Sequence, residues 1–212
     1  MTGLIRKATL FSVAGLMLAG AAMAGVPNEA TSTVPNLIKI AGGPPAPGLG
    51  TSSVDPLAIV TYVIRDANNT PVANTSVVLN FTACTDILLS PGGGINCGAK
   101  TFTGTTDGVG QLSVGIRGVG NGTGSPRAVC NCVHVTAGGQ PFSDVGAAAF
   151  DKDGTSGVGA GDLSQLITDF VSPGIECRSD FSGNDSVGAE DLSFLITVFV
   201  TGGSPAPSPT PC

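Results

Sequence analysis

Two stretches of this chain, Asp151 to Val171 and Asp180 to Val200, are copies of one another at a constant offset of 29 residues. Identities run through Asp151/Asp180, Gly154/Gly183, Val158/Val187, Gly159/Gly188, Ala160/Ala189, Asp162/Asp191, Leu163/Leu192 and Ser164/Ser193. They continue through Leu166/Leu195, Ile167/Ile196, Thr168/Thr197, Phe170/Phe199 and Val171/Val200. Whatever this region folds into is built twice, so one local geometry must suit both copies.

Each copy has a polar half and an apolar half. In the first, oxygen-bearing side chains fall at Asp151, Asp153, Thr155 and Asp162, which are positions 1, 3, 5 and 12 of a loop, and Gly157 offers a backbone carbonyl at position 7. In the second the same positions hold Asp180, Ser182, Asn184, Asp191 and the carbonyl of Ser186. Side-chain oxygens at 1, 3, 5 and 12 with a carbonyl at 7 are how a chain wraps a hard, oxygen-seeking cation, and calcium is the natural candidate. Val158 and Val187, at position 8, are expected to tie the two loops together as a short strand pair. The apolar halves, Leu163, Leu166, Ile167, Phe170, Val171 and Leu192, Leu195, Ile196, Phe199, Val200, recur at i, i+3, i+4, i+7 and i+8. That spacing predicts two one-sided helices.

Loop-helix, linker, loop-helix resembles the type I dockerin module over residues 149–201, through a D-x-[DNS]-x-x-x-x-V-x-x-x-D-L pattern present twice. The resemblance implies two calcium sites and attachment to a cohesin-like receptor on a scaffold or cell surface. The receptor would be read largely by the residues just before position 12, here Ala160, Gly161, Ala189 and Glu190. Gly161 against Glu190 breaks the equivalence of the two faces. Position 6, where a calcium loop favours Gly, is Ser156 in one copy and Asp185 in the other. Asp tolerates a left-handed backbone better than Ser, so the first loop is expected to be the more strained.

At the other end, Arg6 and Lys7 precede an apolar run from Ala8 to Ala21, and Ala22-Met23-Ala24 supplies a small-x-small cleavage pattern. Residues 1–24 read as a secretory signal peptide, and the product as exported, extracellular or on the cell surface. The run is short for a membrane span. The formal charge is −6, and removing Arg6 and Lys7 lowers it by two more. So acidic a chain is a poor polyanion binder, which argues against nucleic acid.

Residues 25–148 read as short strands between turns. Val34 to Ile40, Leu57 to Arg65, Val77 to Phe81, Gln111 to Ile116, Ala128 to Val135 and Phe142 to Ala149 are the expected strands. Val77, Leu79 and Phe81 alternate with polar partners, as do Leu112, Val114 and Ile116. Several strands with one apolar face each are most simply covered as a two-sheet β-sandwich. Tyr62 to Val72, with its Asp66-Ala67-Asn68-Asn69-Thr70-Pro71-Val72 turn, and Thr105 to Gly110 resemble the bacterial Ig-like domains of invasin-type surface proteins. That resemblance implies a spacer or adhesive module. The whole chain is therefore expected to be a mainly β, Ig-like sandwich followed by a small α-helical dockerin-like unit, with a Pro/Ser-rich extended tail over 202–212.

Six cysteines, Cys84, Cys97, Cys130, Cys132, Cys177 and Cys212, agree with export, because an even count in a secreted protein points to disulfides. Cys130 and Cys132 share a strand side within reach of Cys84 and Cys97, and Cys177 is then left for Cys212, although six cysteines allow fifteen pairings. The Cys-x-Cys spacing is tighter than zinc motifs use.

Catalytic chemistry has little to stand on. The one histidine, His134, lies inside an expected strand, and Glu29, Asp55, Asp66, Asp86, Asp107 and Asp144 sit mostly where turn chemistry explains them. No carboxylate pair of the glycosidase kind stands out. With no Trp and a single Tyr, the chain also lacks the aromatic platforms of carbohydrate-binding surfaces. Three readings follow: a non-catalytic, calcium-binding attachment protein; an adhesin or spacer whose calcium repeats serve only stability; and, least supported, a small dockerin-bearing polysaccharide-degrading enzyme.

Overall fold

The structure is a computed structural model describing residues 25–41, 56–121, 130–155, 157–172, 177–201 and 212. The expected signal peptide, Ser156 and all of the tail except Cys212 lie outside the described residues.

The described residues are mostly β, with two α-helices after the last strand. The strands are β1 (Leu37–Ile40), β2 (Ile59–Val63), β3 (Ser76–Asn80), β4 (Ile87–Leu89), β5 (Ile95–Asn96), β6 (Thr101–Thr105), β7 (Gln111–Gly115), β8 (Gly118–Gly120), β9 (Asn131–Ala137), β10 (Gln140–Pro141) and β11 (Val145–Ala149). The helices are α1 (Ala160–Val171) and α2 (Ala189–Thr201). A seven-stranded sheet runs β1-β11-β9-β3-β6-β5, with β10 paired on β9, and β2–β7 and β4–β8 form two separate ladders. Within the large sheet β1 and β11 are parallel and the other pairs antiparallel. Isolated bridges Thr33↔Val63 and Ile40↔Ile116 stitch the β1 segment to the β2–β7 ladder, so the large sheet curls around its own core.

Alternation decides which side chains fill that core. Val77 and Leu79 of β3, with Phe81 just beyond, are fully buried, as are Ile116 after β7 and Tyr62 of β2. They meet Ile38, Ile40, Phe102, Val133 and Val135 in one apolar cluster. Two of the expected turns close by the same device: Asp66 Oδ1 accepts the amides of Asn68 and Thr70, both at 2.9 Å, and Asp107 Oδ1 accepts those of Val109 and Gln111 at 2.9 and 2.8 Å. A carboxylate that folds back on its own turn stands in for the missing strand partner.

Strand β11 has a different character. All five residues of Val145–Ala149 are buried, because the two faces of the strand border two cores. Val145, Ala147 and Ala149 belong to the first. Ala148 belongs to the second with Phe150, Leu37, Val158, Leu166, Phe181, Leu195 and Val198. The inward sides of both helices thus pack on the reverse face of the sheet that carries the first core.

All six cysteines are bonded, as Cys84–Cys132, Cys97–Cys212 and Cys130–Cys177. Only the first follows the expected pattern. Cys97 does not reach the Cys130/Cys132 strand, and Cys177 pairs with Cys130 instead of Cys212. The Cα atoms of Cys130 and Cys177 stand 4.9 Å apart, so the chain just before the second loop is held at the start of β9. Cys212 donates its amide to Leu89 O at 2.7 Å and bonds Cys97 beside it. With both thiols oxidised, Cys130 and Cys132 offer no zinc site.

The Tyr62 hydroxyl is buried with no hydrogen-bond partner among the described residues, and burial raises its pKa far above the ordinary value. An unpaired buried hydroxyl costs about 1–3 kcal/mol. Tyr62→Phe is therefore expected to raise stability by about 1 kcal/mol, read as a higher denaturant midpoint at unchanged slope.

Candidate metal centre

The first repeat folds its loop around three carboxylates. Asp151, Asp153 and Asp162 each present an oxygen within 4.8 Å of the others, and Asp151 and Asp162 are buried. Asp162 does two jobs. Its Oδ2 accepts the amide of Gly159 at 2.7 Å, capping α1, and its Oδ1 accepts the amides of Lys152 and Asp153 at 2.5 and 3.1 Å. One side chain thereby joins the start of the loop to the start of the helix. Asp151 Oδ2 accepts the amide of Gly157 at 3.1 Å, and Asp153 Oδ1 accepts both the amide and the hydroxyl of Thr155.

The second loop repeats this plan. Asp191 Oδ2 accepts the Gly188 amide at 2.7 Å and its Oδ1 the Ser182 amide at 2.8 Å. Asp180 Oδ1 accepts from Ser182 Oγ and from the amides of Gly183 and Asn184, and its Oδ2 from the amide of Asp185. Asn184 Oδ1 takes the amide and hydroxyl of Ser186. Gly154 and Gly183 hold matched positive φ of 70° and 73°, and Asp185 holds 60°, the left-handed backbone that its side chain tolerates. Position 6 of the first copy, Ser156, lies outside the described residues.

The loops meet at their first positions. No strand pair forms between Val158 and Val187 among the described residues; both point into the second core instead. Phe150, just before Asp151, stacks on Phe181, just after Asp180, with ring centroids 4.7 Å apart. Beside that stack lies a buried polar cluster that the sequence reading missed. Lys152 Nζ pairs with Asp169 Oδ2 at 2.7 Å, and Ser179 Oγ bonds both groups. Arg178 closes the cluster on Asp169 through Nε at 2.9 Å and Nη2 at 2.5 Å. Burial lowers the Lys152 pKa against the pull of Asp169. Desolvation opposes Asp169's ionisation, yet Arg178, Lys152 and Ser179 together hold its pKa below the usual carboxylate range. In the second copy these positions are Phe181 and Val198. The signal was there: the copies differ jointly at two facing sites, ionic in one and apolar in the other.

Helix rotation is the other correction. Sequence spacing grouped Leu163, Leu166, Ile167, Phe170 and Val171, and their counterparts in the second copy, on one buried stripe, of which Leu163, Leu166, Leu192 and Leu195 do pack on the second core. The fully buried positions are Asp162, Leu166 and Asp169 in α1, and Asp191, Leu195 and Val198 in α2, so the rest of the stripe is turned away. Asp162 and Asp191 are drawn in by their loop amides, which fixes each helix's rotation. Ile167, Phe170 and Val171, and their counterparts Ile196, Phe199 and Val200, are left exposed. A shallow groove of about 150 Å³, lined by Leu166, Ile167, Phe170, Gly188, Ala189 and Leu192, opens on that side. Ala160, Gly161, Ala189 and Glu190 are all exposed at the helix starts. Gly161 has a structural reason as well, since a Cβ there would collide with Asp153 Oδ2.

A larger cleft of about 390 Å³ lies where residues 29–37, the start of β9 and the second loop meet, with Glu29, Asp144, Asp180 and Asp185 in its lining. Glu29 there accepts the Ser143 amide at 2.7 Å, and Asp144 pairs with His134 at 2.7 Å. No helix of the described residues is long and apolar enough to cross a membrane. Comparison of the chain with protein-family models, with curated proteins and with solved structures finds no match. Fold and site together define a disulfide-bonded, mostly β protein that ends in a duplicated acidic loop-helix unit.

Two predictions follow from this geometry. Asp169→Val alone strands Lys152 in the interior and is expected to cost about 3–5 kcal/mol, whereas adding Lys152→Leu, which copies the apolar solution of the second repeat, should recover most of that loss. A double-mutant cycle by denaturant unfolding measures it. Burial also pushes the Asp162 pKa from 3.8 up to about 6, against the amides of Gly159, Asp153 and Lys152. A carboxyl with a raised folded pKa favours the fold fully below its unfolded pKa, and that contribution is lost as pH rises through about 6. Without divalent cations, the melting temperature should therefore fall between about pH 4 and pH 7, and Asp162→Asn should flatten that slope.

Proposed function

We propose that the chain is an exported, non-catalytic attachment protein whose repeats hold calcium and present two copies of one docking face to a receptor protein. The observation that carries this reading is the sameness of the exposed helix residues. Ala160, Ser164, Ile167, Thr168, Phe170 and Val171 of α1 recur as Ala189, Ser193, Ile196, Thr197, Phe199 and Val200 of α2, with Gly161 against Glu190 the one exception. Exposed positions are free to drift after a duplication, whereas the inward pair Asp169/Val198 did change. A largely apolar outer surface kept twice, with Glu190 its one charge, suits recognition better than solvation.

Calcium would sit with Asp151, Asp153, Thr155, the Gly157 carbonyl and Asp162 in the first loop. In the second it would sit with Asp180, Ser182, Asn184, the Ser186 carbonyl and Asp191. Three carboxylates brought to one point, two of them buried, repel each other until a hard cation joins them, and an all-oxygen donor set suits calcium. This is the type I dockerin-like reading with a cohesin-like receptor, and residues 25–148 then serve as an Ig-like carrier. Disulfides fit an extracellular setting. A second reading, in which the repeats are only a calcium-stapled end piece of an adhesin or spacer, is favoured by one observation: their inward side shares a core with β1 and β11.

Titrating calcium into the chelator-treated protein should raise its melting temperature, since a cation held only by the fold adds about 2.7 kcal/mol at a hundredfold excess over Kd. No heat and no shift at millimolar calcium would sink the metal reading. Phe170→Lys with Phe199→Lys should then abolish capture by cohesin-like modules while leaving the calcium-induced shift intact. Loss of the shift instead would favour the structural role.

A further inference from the structure

We infer that the two loops are not equivalent: the first is the tight, constitutively filled calcium site, and the second is a weak site that responds to calcium concentration. The inference rests on the calcium reading above and deepens it. Calcium loops are tuned by the charge of their ligands and the rigidity of the site, and the copies differ in both respects.

The first loop brings three carboxylates together, at positions 1, 3 and 12. At the ligand positions the second has carboxylates only at Asp180 and Asp191, with Ser182 and Asn184 between them; Asp185 and Glu190 stand at positions 6 and 11. The change at position 3 is tied to another. Asp153 Oδ2 occupies the space that a Cβ at Gly161 would need, so the third carboxylate and a glycine at position 11 come together. The second copy has neither, carrying Ser182 at position 3 and Glu190 at position 11. Each loop has one lysine nearby, Lys152 close to Asp162 and Lys39 facing Glu190 and Asp191, so at the ligand positions the difference lies in the third carboxylate.

Rigidity points the same way. The Gly120 amide of β8 donates to Asp151 O at 2.6 Å, bracing the first loop on the β4–β8 ladder. Gly157 and Val158, at its far end, are buried. In the second loop the counterparts of those two residues are less enclosed: Ser186 is exposed and Val187 is only half-buried. A loop held at both ends loses less freedom on binding than one whose far end is left partly in water. Since the second loop leads directly into α2, the α2 copy of the docking face becomes the calcium-dependent one, and the α1 copy is set in advance.

Calorimetric titration of calcium chloride into the chelator-treated, fully oxidised chain tests this. The expected isotherm has two events separated by about tenfold or more in affinity. Asp153→Asn should remove the tight event and leave the weak one. The paired change Ser182→Asp with Glu190→Gly, which writes the first loop into the second, should draw the weak event toward the tight one. Two events of equal affinity, or a tight event that survives Asp153→Asn, would overturn the inference while leaving calcium binding in place. No heat at all would overturn the calcium reading beneath it. The isotherm of the unsubstituted chain decides between ordered and equal filling even if a variant fails to fold.

Discussion

Strand β11 is the constraint on which the rest of the structure depends. A strand with both faces buried cannot alternate polar and apolar residues, and its Val-Gly-Ala-Ala-Ala sequence does not. Its residues must also be small where two cores press on it. Leu37 packs over Gly146, where a Cβ would meet the Leu37 side chain, and Ala148 is fully buried on the helix side. The first core thus closes against one face of a strand whose other face is the floor beneath the repeats. Large residues in β11 would force the two layers apart, a cost that rises steeply in close-packed interiors.

The sequence made part of this architecture legible, for reasons particular to each element. Strands β3 and β7 could be read because Val77, Leu79 and Phe81, and Val114 and Ile116, obey the period of two that one-sided burial imposes. Strand β6 could not, since Thr101-Phe102-Thr103-Gly104-Thr105 has one large apolar side chain, and β8 is Gly118-Val119-Gly120. Their strand character comes from neighbours that need hydrogen-bonding partners, which is a tertiary fact. Loop positions were legible because ligand geometry dictates oxygen spacing along the chain. Helix rotation was not, because Leu166 and Ile167 are equally apolar, and only the amides that draw in Asp162 decide between them. Of the disulfides only Cys84–Cys132 was legible, from the strand that carries Cys132; Cys97–Cys212 and Cys130–Cys177 depend on how the repeats sit on the sheets, which is a tertiary fact.

The duplicated unit shows two solutions to one packing problem. Where the copies face each other, one side offers Phe181 and Val198 and the other Lys152 and Asp169, and both pairs are buried. The ionic solution demands more partners, and Arg178 and Ser179 supply them from the linker. A buried pair so enclosed adds little net stability over an apolar one, but it tolerates no other register, because any slip leaves a charge unpaired. It also places the linker itself, and with it the first ligand of the second loop.

The two disulfides Cys130–Cys177 and Cys97–Cys212 take on another meaning when the helices are considered as a mechanical anchor. Without them the helices would be joined covalently to the sheets only through the peptide chain at residues 149–151. Cys177 lies before the second loop and Cys212 beyond α2, so the second repeat is fastened to the β layers at both ends by covalent bonds. Load entering through either helix is shared among three covalent routes, and the second repeat cannot be drawn out from its ends while those bridges hold. The molecule is built like a buckle, whose tongue is riveted to the strap on both sides.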